Sequence, residues 1–208
     1  MSDRRAVERP EARPGERQSS GSILPREVYG RVVSRDVVIR LEQPEDRPHT
    51  LEIERLAFSG DVEADIVVAV RDEEGSFALV AEERGTLVGH VQLSRAWVGP
   101  DPVLALGPIG VLPDRQGRGI GRALVAAAAD EADRRGELAI ILLGDPRLYP
   151  RFGYRPAASL GLRNPFAGAR PDGFVIREED FMILPLDERA ESLAGDVRWQ
   201  PAFGERTS

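Results

Sequence analysis

The chain has no cysteine, and all 28 of its basic residues are arginine. Without cysteine there is no disulfide framework, no thiolate metal site and no thiol to carry an acyl group. Two histidines are too few for a histidine-rich metal site, so no metal is expected. The missing lysine removes every phosphate loop that ends in Gly-Lys-Ser/Thr. No apolar run reaches the length of a membrane span or a signal h-region, which predicts a cytoplasmic protein with no membrane partner. A formal net charge of −7 and a pI near 5.1 argue against a nucleic-acid surface.

What is present suffices for one domain: 208 residues, 41 % of them hydrophobic. Residues 1–36 are rich in Arg, Glu, Pro, Ser and Gly with no periodicity, and read as a flexible arm. The domain is expected over 37–203, and 204–208 form a short tail.

The most informative stretch runs from Ile109 to Gly136. An apolar run stops at Pro113-Asp114, glycines follow at positions 117, 119 and 121, and an alanine-rich segment then carries apolar residues at helical spacing. That pattern is strand, glycine loop, helix. Glycines allow close backbone approach, and the first turn of a helix has N–H groups without internal partners and a partial positive charge. Arg115, Arg118 and Arg122 add charge whose sign opposes that of the whole chain. The site is suited to a phosphate-bearing ligand. A dinucleotide fingerprint fails, because Gly-x-Gly-x-x-Gly counted from Gly117 or Gly119 ends on Arg122 or Leu124.

The remaining pattern, Gln116-x-x-Gly119-x-Gly121, resembles the pyrophosphate loop of the GNAT N-acetyltransferases. Leu106-Gly107-Pro108, Val88-Gly89-His90 and the segment Tyr149-x-x-x-Gly153-Tyr154 extend the likeness over about residues 37–203, and it is nearest to the YhbS-type branch. The resemblance implies an acyl-CoA N-acyltransferase fold, α/β with a mixed sheet and splayed central strands. It also implies acetyl-CoA as co-substrate, with the loop residues Arg115, Gln116, Gly117, Arg118, Gly119, Ile120, Gly121 and Arg122 at its phosphates. Backbone groups of Ile109, Gly110 and Val111 would meet the pantetheine arm and the thioester carbonyl.

Taken in order, Val37 to Leu41 reads as a first strand, Pro44 to Phe58 as a helix with Leu51, Ile53, Arg55, Leu56, Ala57 and Phe58 on its largely apolar face, and Val62 to Val70 as a second helix. Phe77 to Glu82 and Thr86 to Leu93 form a hairpin turning at Glu83-Arg84-Gly85. In the strand Val103 to Leu112, the dipeptide Gly107-Pro108 requires a bulge or bend. A helix from Ile120 to Arg135 turns Ile120, Leu124, Val125, Ala128 and Ala132 inward, with Asp130–Arg134 and Glu131–Arg135 as solvent-side pairs. Leu138 to Leu143 is a doubly buried strand, Phe181 to Leu186 a late one, and Asp196 to Phe203 a final one.

For the chemistry, the resemblance makes Tyr149 the general acid toward the departing thiol. Many relatives place a basic glutamate on the fourth strand, yet Val103 to Leu112 holds no acid. That leaves an ordered water, His90, or a carboxylate of the first helices such as Glu54. The reading is direct acetyl transfer to a small-molecule or peptide amine; the alternative is a non-catalytic acyl-CoA-binding sensor of the same fold. A homodimer is compatible with this reading.

Overall fold

The computed structural model describes residues 36–169 and 175–204. The expected arm, apart from Asp36, lies outside the described residues, as do residues 205–208.

Strand β1 (Val37–Leu41) is followed by a 3-10 turn over Pro44–Asp46 and by helices α1 (Arg47–Phe58) and α2 (Val62–Val70). Asp46 ends that turn by accepting from the Gln43 N–H at 2.8 Å and from both terminal nitrogens of Arg40 at 2.5 and 3.0 Å. The entry into α1 is thereby tied to β1. Strands β2 (Phe77–Glu83) and β3 (Thr86–Val98) form the expected hairpin. Arg84 and Gly85, at φ 52° and 83°, are the two left-handed residues of a primed two-residue turn. Beyond its expected end at Leu93, β3 continues to Val98, because Ser94 to Val98 pair with the early part of β4 (Asp101–Val111).

Helix α3 (Ile120–Arg134) leads into β5 (Ala139–Leu143). Gly136 at φ 73° ends the helix as an αL residue should. Short strands β6 (Arg155–Pro156), β7 (Gly168–Ala169) and β8 (Val175–Ile176) precede β9 (Phe181–Pro185). A final β10 spans only Val197–Arg198.

The main sheet has the order β1-β2-β3-β4-β5-β9-β6, with β10 added against the far end of β3; β7 and β8 pair separately. Among the described strands of this sheet only β4 and β5 run parallel. Helix α3 lies on one face, where Ile120, Leu124, Val125, Ala128 and Ala132 pack on Val91, Leu93, Leu104 and Ile140. A Cβ on Gly89 would sit 3.0 Å from Leu124 Cδ1, so the glycine lets helix and strand close up. Helices α1 and α2 cover part of the opposite face. A second apolar cluster continues that face under residues 157–193, around Phe181 and Ile183.

Two surface readings change. Glu131 does not face solvent: it is 6 % exposed and binds both Arg134 and Arg135, leaving Asp130 without that ion pair. Arg135 lies 4.0 Å over the ring of Phe77, which brings the pair down onto the edge of β2. In α1 the buried residues are Thr50, Ile53 and Glu54, whereas Leu56 and Phe58 are 46 % and 45 % exposed. The helix is rotated so that part of its inner face is polar.

Candidate active site

Gly107-Pro108 bulges β4 as its composition requires. Leu106 pairs with Leu93 and Ile109 with Val91, so two residues of β4 stand opposite Gln92 alone. On its other edge β4 pairs with β5 only at Leu104 and Ala105, and past the bulge the two strands part. Leu112 N–H donates to Val88 of β3 at 3.0 Å. By the two-residue alternation of a strand, Val111 N–H points away from β3, into the opening left by β5.

At the end of this strand, Gln116 Nε2 donates to the Val111 carbonyl at 3.0 Å and ties the loop to β4. Gly117 and Gly119 take φ of 74° and 84°, which only glycine adopts without strain. Gly121 lies inside α3 and has no such constraint; its methyl counterpart would meet nothing closer than Val111 at 3.8 Å. The first helical bond runs from Ala123 N–H to the Gly119 carbonyl, so the N–H groups from Gly117 to Arg122 have no backbone acceptor. Six successive donors at a positive helix end form an anion cradle.

The three arginines divide. Arg115 donates to Glu83 at 2.9 Å and to Asp114 at 2.5 Å, so its charge is compensated within the chain. Arg118 and Arg122 form no ion pair among the described residues, and Arg122 lines the cavity over the loop. Arg151, on the Tyr149 side of the same cavity, likewise forms no ion pair among the described residues.

That cavity holds about 540 Å³ and runs from the glycine loop to Tyr149. A second cavity of about 750 Å³ occupies the opening between β4 and β5 and extends under α2 to Trp199 and Phe203. Phe58, Ile109 and Tyr149 line both. Tyr149 opens a 3-10 turn, Tyr149–Phe152, closed by Gly153 at φ 87°. Its ring packs edge-on against Tyr154 at 5.6 Å, and a Cβ on Gly144 would lie 2.2 Å from its Cε2. Gly144 is thus what allows the ring to lie across the end of β5. Burial pushes the Tyr149 phenol above its ordinary pKa, so at neutral pH the hydroxyl keeps its proton.

His90 is not brought to either cavity. It is fully buried, with Nδ1 2.6 Å from Glu54 Oε1 and Nε2 3.9 Å from Glu42. Glu42 in turn accepts from Thr50 at 2.6 Å and lies 3.8 Å from Arg71. Burial raises the Glu54 pKa, and the histidine and the Gly110 N–H partly oppose that shift. Gly110, whose backbone is expected at the pantetheine arm, has its Cα against this carboxylate; a Cβ there would lie 2.8 Å from Glu54 Oε2. The pairing joins residues 36 apart in sequence, and only the shared helical face of Thr50, Ile53 and Glu54 could have signalled it.

The model of the acetyltransferase (GNAT) family matches residues 38–154. This chain belongs to the GNAT family. An uncharacterized N-acetyltransferase of Escherichia coli K12, YhbS, is 34 % identical over 173 residues, 80 % of this GNAT chain and 98 % of that protein. A second from the same organism, YjhQ, is 32 % identical over 157 residues, 71 % of this chain and 83 % of that one. Among solved structures, E. coli YhbS in complex with CoA superposes with a TM-score of 0.70 at 30 % identity, covering 83 % of this chain and 94 % of that one. A Brucella melitensis GNAT acetyltransferase in complex with acetyl-CoA gives 0.65 at 29 % identity, covering 82 % and 99 %. The GNAT fold with its splayed central strands is therefore the fold of this chain. Among the described residues no group of His, Asp or Glu is placed to hold a metal ion, and no helix is long and apolar enough to cross a membrane.

Proposed function

We propose that this chain transfers the acetyl group of acetyl-CoA directly to a primary amine. The observation that carries the reading is the meeting of the two cavities at Phe58, Ile109 and Tyr149, where β4 and β5 part. One cavity ends in an anion cradle and the other opens to a separate wall, so two molecules can meet there.

Acetyl-CoA supplies an acetyl group already activated as a thioester. The free N–H groups from Gly117 to Arg122, with Arg118 and Arg122, fit its pyrophosphate in number and in charge. Val111 N–H, directed into the opening, can hold the thioester carbonyl and the charge that grows on it during transfer. Tyr149 donates a hydrogen bond to the sulfur as it leaves. A buried phenol is a weaker acid than a thiol, so this donor steadies the departing sulfur without giving up its proton. Between Val103 and Val111 β4 carries no carboxylate, and the amine gives its proton to water in the cavity. His90 and Glu54 act one layer behind, as positioning residues under Gly110.

Titration calorimetry with acetyl-CoA tests the cradle. Binding to the wild type, with at least a hundredfold weaker binding to Gly119→Glu, is expected from bulk and like charge at a left-handed position. A variant that binds as the wild type does would sink the loop assignment. Release of the CoA thiol when amines are added separates an enzyme from a non-catalytic sensor, which would bind acetyl-CoA and release nothing.

A further inference from the structure

The two cavities differ in the charge of their walls. Glu63, Asp145 and Asp180 are among the residues lining the larger one. The smaller one, over the glycine loop, is lined by Arg115, Arg122 and Arg151, and among the described residues by no carboxylate. In a chain with a formal net charge of −7 that is a local reversal of sign. Arg115 is compensated by Glu83 and Asp114, neither of which lines the cavity, so its positive charge rests with Arg122 and Arg151.

These two arginines come from separate elements. Arg122 stands in the first turn of α3, beside the cradle of N–H groups. Arg151 stands in the 3-10 turn Tyr149–Phe152 that follows β5. Three residues per turn put Tyr149 and Phe152 on one side, where both are buried, and leave Arg151 exposed on the other. Pro150 stiffens the turn and Gly153 closes it, so the backbone from which Arg151 projects is fixed. Apolar side chains accompany both cations. Val125, one turn after Arg122, and Leu148, just before the 3-10 turn, line the same cavity, and Leu148 is 37 % exposed.

CoA carries its negative charge in two separate places. The pyrophosphate bears about one charge per phosphate. The N–H groups from Gly117 to Arg122, with Arg118 and Arg122, already match it. The 3′-phosphate on the ribose is a monoester, with about −1.5 to −2 charge and three acceptor oxygens at pH 7. It is the anion left over, and Arg151 is the cation left over. A guanidinium offers such a group two parallel N–H donors. The apolar surface of Val125 and Leu148 suits the adenine carried on the same ribose.

Resting on the assignment of the glycine loop to acetyl-CoA, we propose that Arg151 binds the 3′-phosphate of the co-substrate and makes that phosphate a requirement for tight binding. The nucleotide end then reaches from the first turn of α3 to the turn after β5, with adenine against Leu148 and Val125. One 3-10 turn thus serves both ends of the co-substrate, Tyr149 at the sulfur and Arg151 at the nucleotide.

Calorimetry with CoA and with 3′-dephospho-CoA, at one fixed ionic strength, tests this. The wild type should bind CoA about tenfold or more tightly than 3′-dephospho-CoA. In Arg151→Gln the affinity for CoA should fall to that for 3′-dephospho-CoA, whose own affinity stays at the wild-type value and reports an intact cradle. Arg122→Gln should weaken both ligands by the same factor, because it acts on the pyrophosphate they share. Equal affinity of the wild type for the two ligands would overturn the proposal, as would a preference for CoA that survives in Arg151→Gln. So would a loss in that variant that is equal for both ligands, which would move Arg151 to the pyrophosphate. Failure of the acetyltransferase reading looks different. If the two ligands are discriminated as expected but acetyl-CoA releases no thiol when amines are added, the phosphate site stands and the transferase does not. If neither ligand binds the wild type, the loop assignment goes, and this proposal with it.

Discussion

On the α3 side of the sheet, Val91, Leu93, Leu104 and Ile140 meet Leu124, Val125 and Ala128 in an uninterrupted apolar layer. On the other side, beneath α1 and α2, the same strand β3 presents His90, Gln92 and Ser94, which are just as deeply buried but polar. The first arrangement needs only apolar volume, so it makes a stiff platform that holds the glycine loop at one height above the sheet. The second must match charges and hydrogen bonds one by one, and Glu54 Oε2, His90 Nε2 and Gln92 Oε1 have no hydrogen bond within the usual distance and angle among the described residues. That face carries the wall where the acceptor is proposed to sit. The cofactor side is thus supported by packing, and the acceptor side by a buried ionisable network that costs stability to maintain.

Breaking the polar side by one partner should have the largest effect. His90→Ala strips Glu54 of its 2.6 Å partner in a site with no water access, and a loss of about 3–5 kcal/mol in denaturant unfolding is expected. Replacing both members, His90→Leu with Glu54→Met, should be milder than the single change, because no uncompensated charge remains. A double variant less stable than His90→Ala would mean that the pair is a net stabiliser. On the apolar side, Leu124→Ala should cost about 2–5 kcal/mol through the cavity it leaves against Gly89 and β3. That loss should be the same at pH 5 and pH 8, since the apolar cluster around Leu124 holds no group that ordinarily titrates between those values; a pH-dependent loss would show that the two faces are coupled through the sheet.

Legibility in the sequence divides along the same line. The α3 side could be read because its signals are local. Leu138 to Leu143 is a continuous apolar run, Ile120, Leu124 and Ala128 repeat at helical spacing, and Gly107-Pro108 announces its own bulge. The glycine loop is equally local, although that Gly117 and Gly119 need left-handed backbone while Gly121 does not depends on where α3 begins. Contacts between distant residues could not be read. Glu54 meets His90, Gly144 clears the space for Tyr149, and β10 delivers Trp199, each through pairing that a one-dimensional pattern does not encode. The helical face of α1 differs for the same reason: apolar count points to Leu56 and Phe58, whereas the polar strip on β3 selects Thr50 and Glu54.

The smallest expected effect is also the one that reports on the polar side alone. The Glu54 carboxyl has its pKa raised by burial, so between its unfolded value near 4.5 and its higher folded value the native state binds more proton than the unfolded chain. Its contribution is fully present below that unfolded value and is lost as pH rises through the folded one. Asp46 runs the other way: its pKa is lowered, chiefly by Arg40, so its contribution is present above about 3.8 and lost as pH falls. Glu54→Gln removes the first slope and leaves the second. The stability difference between wild type and this variant should therefore move against the wild type as pH is raised from 4.5 toward neutrality, and the shift belongs to the Glu54–His90 pair as a unit. A difference that stays flat over that range, measured by urea unfolding at matched ionic strength, would mean that Glu54 titrates at its ordinary value and that the polar side is open to water.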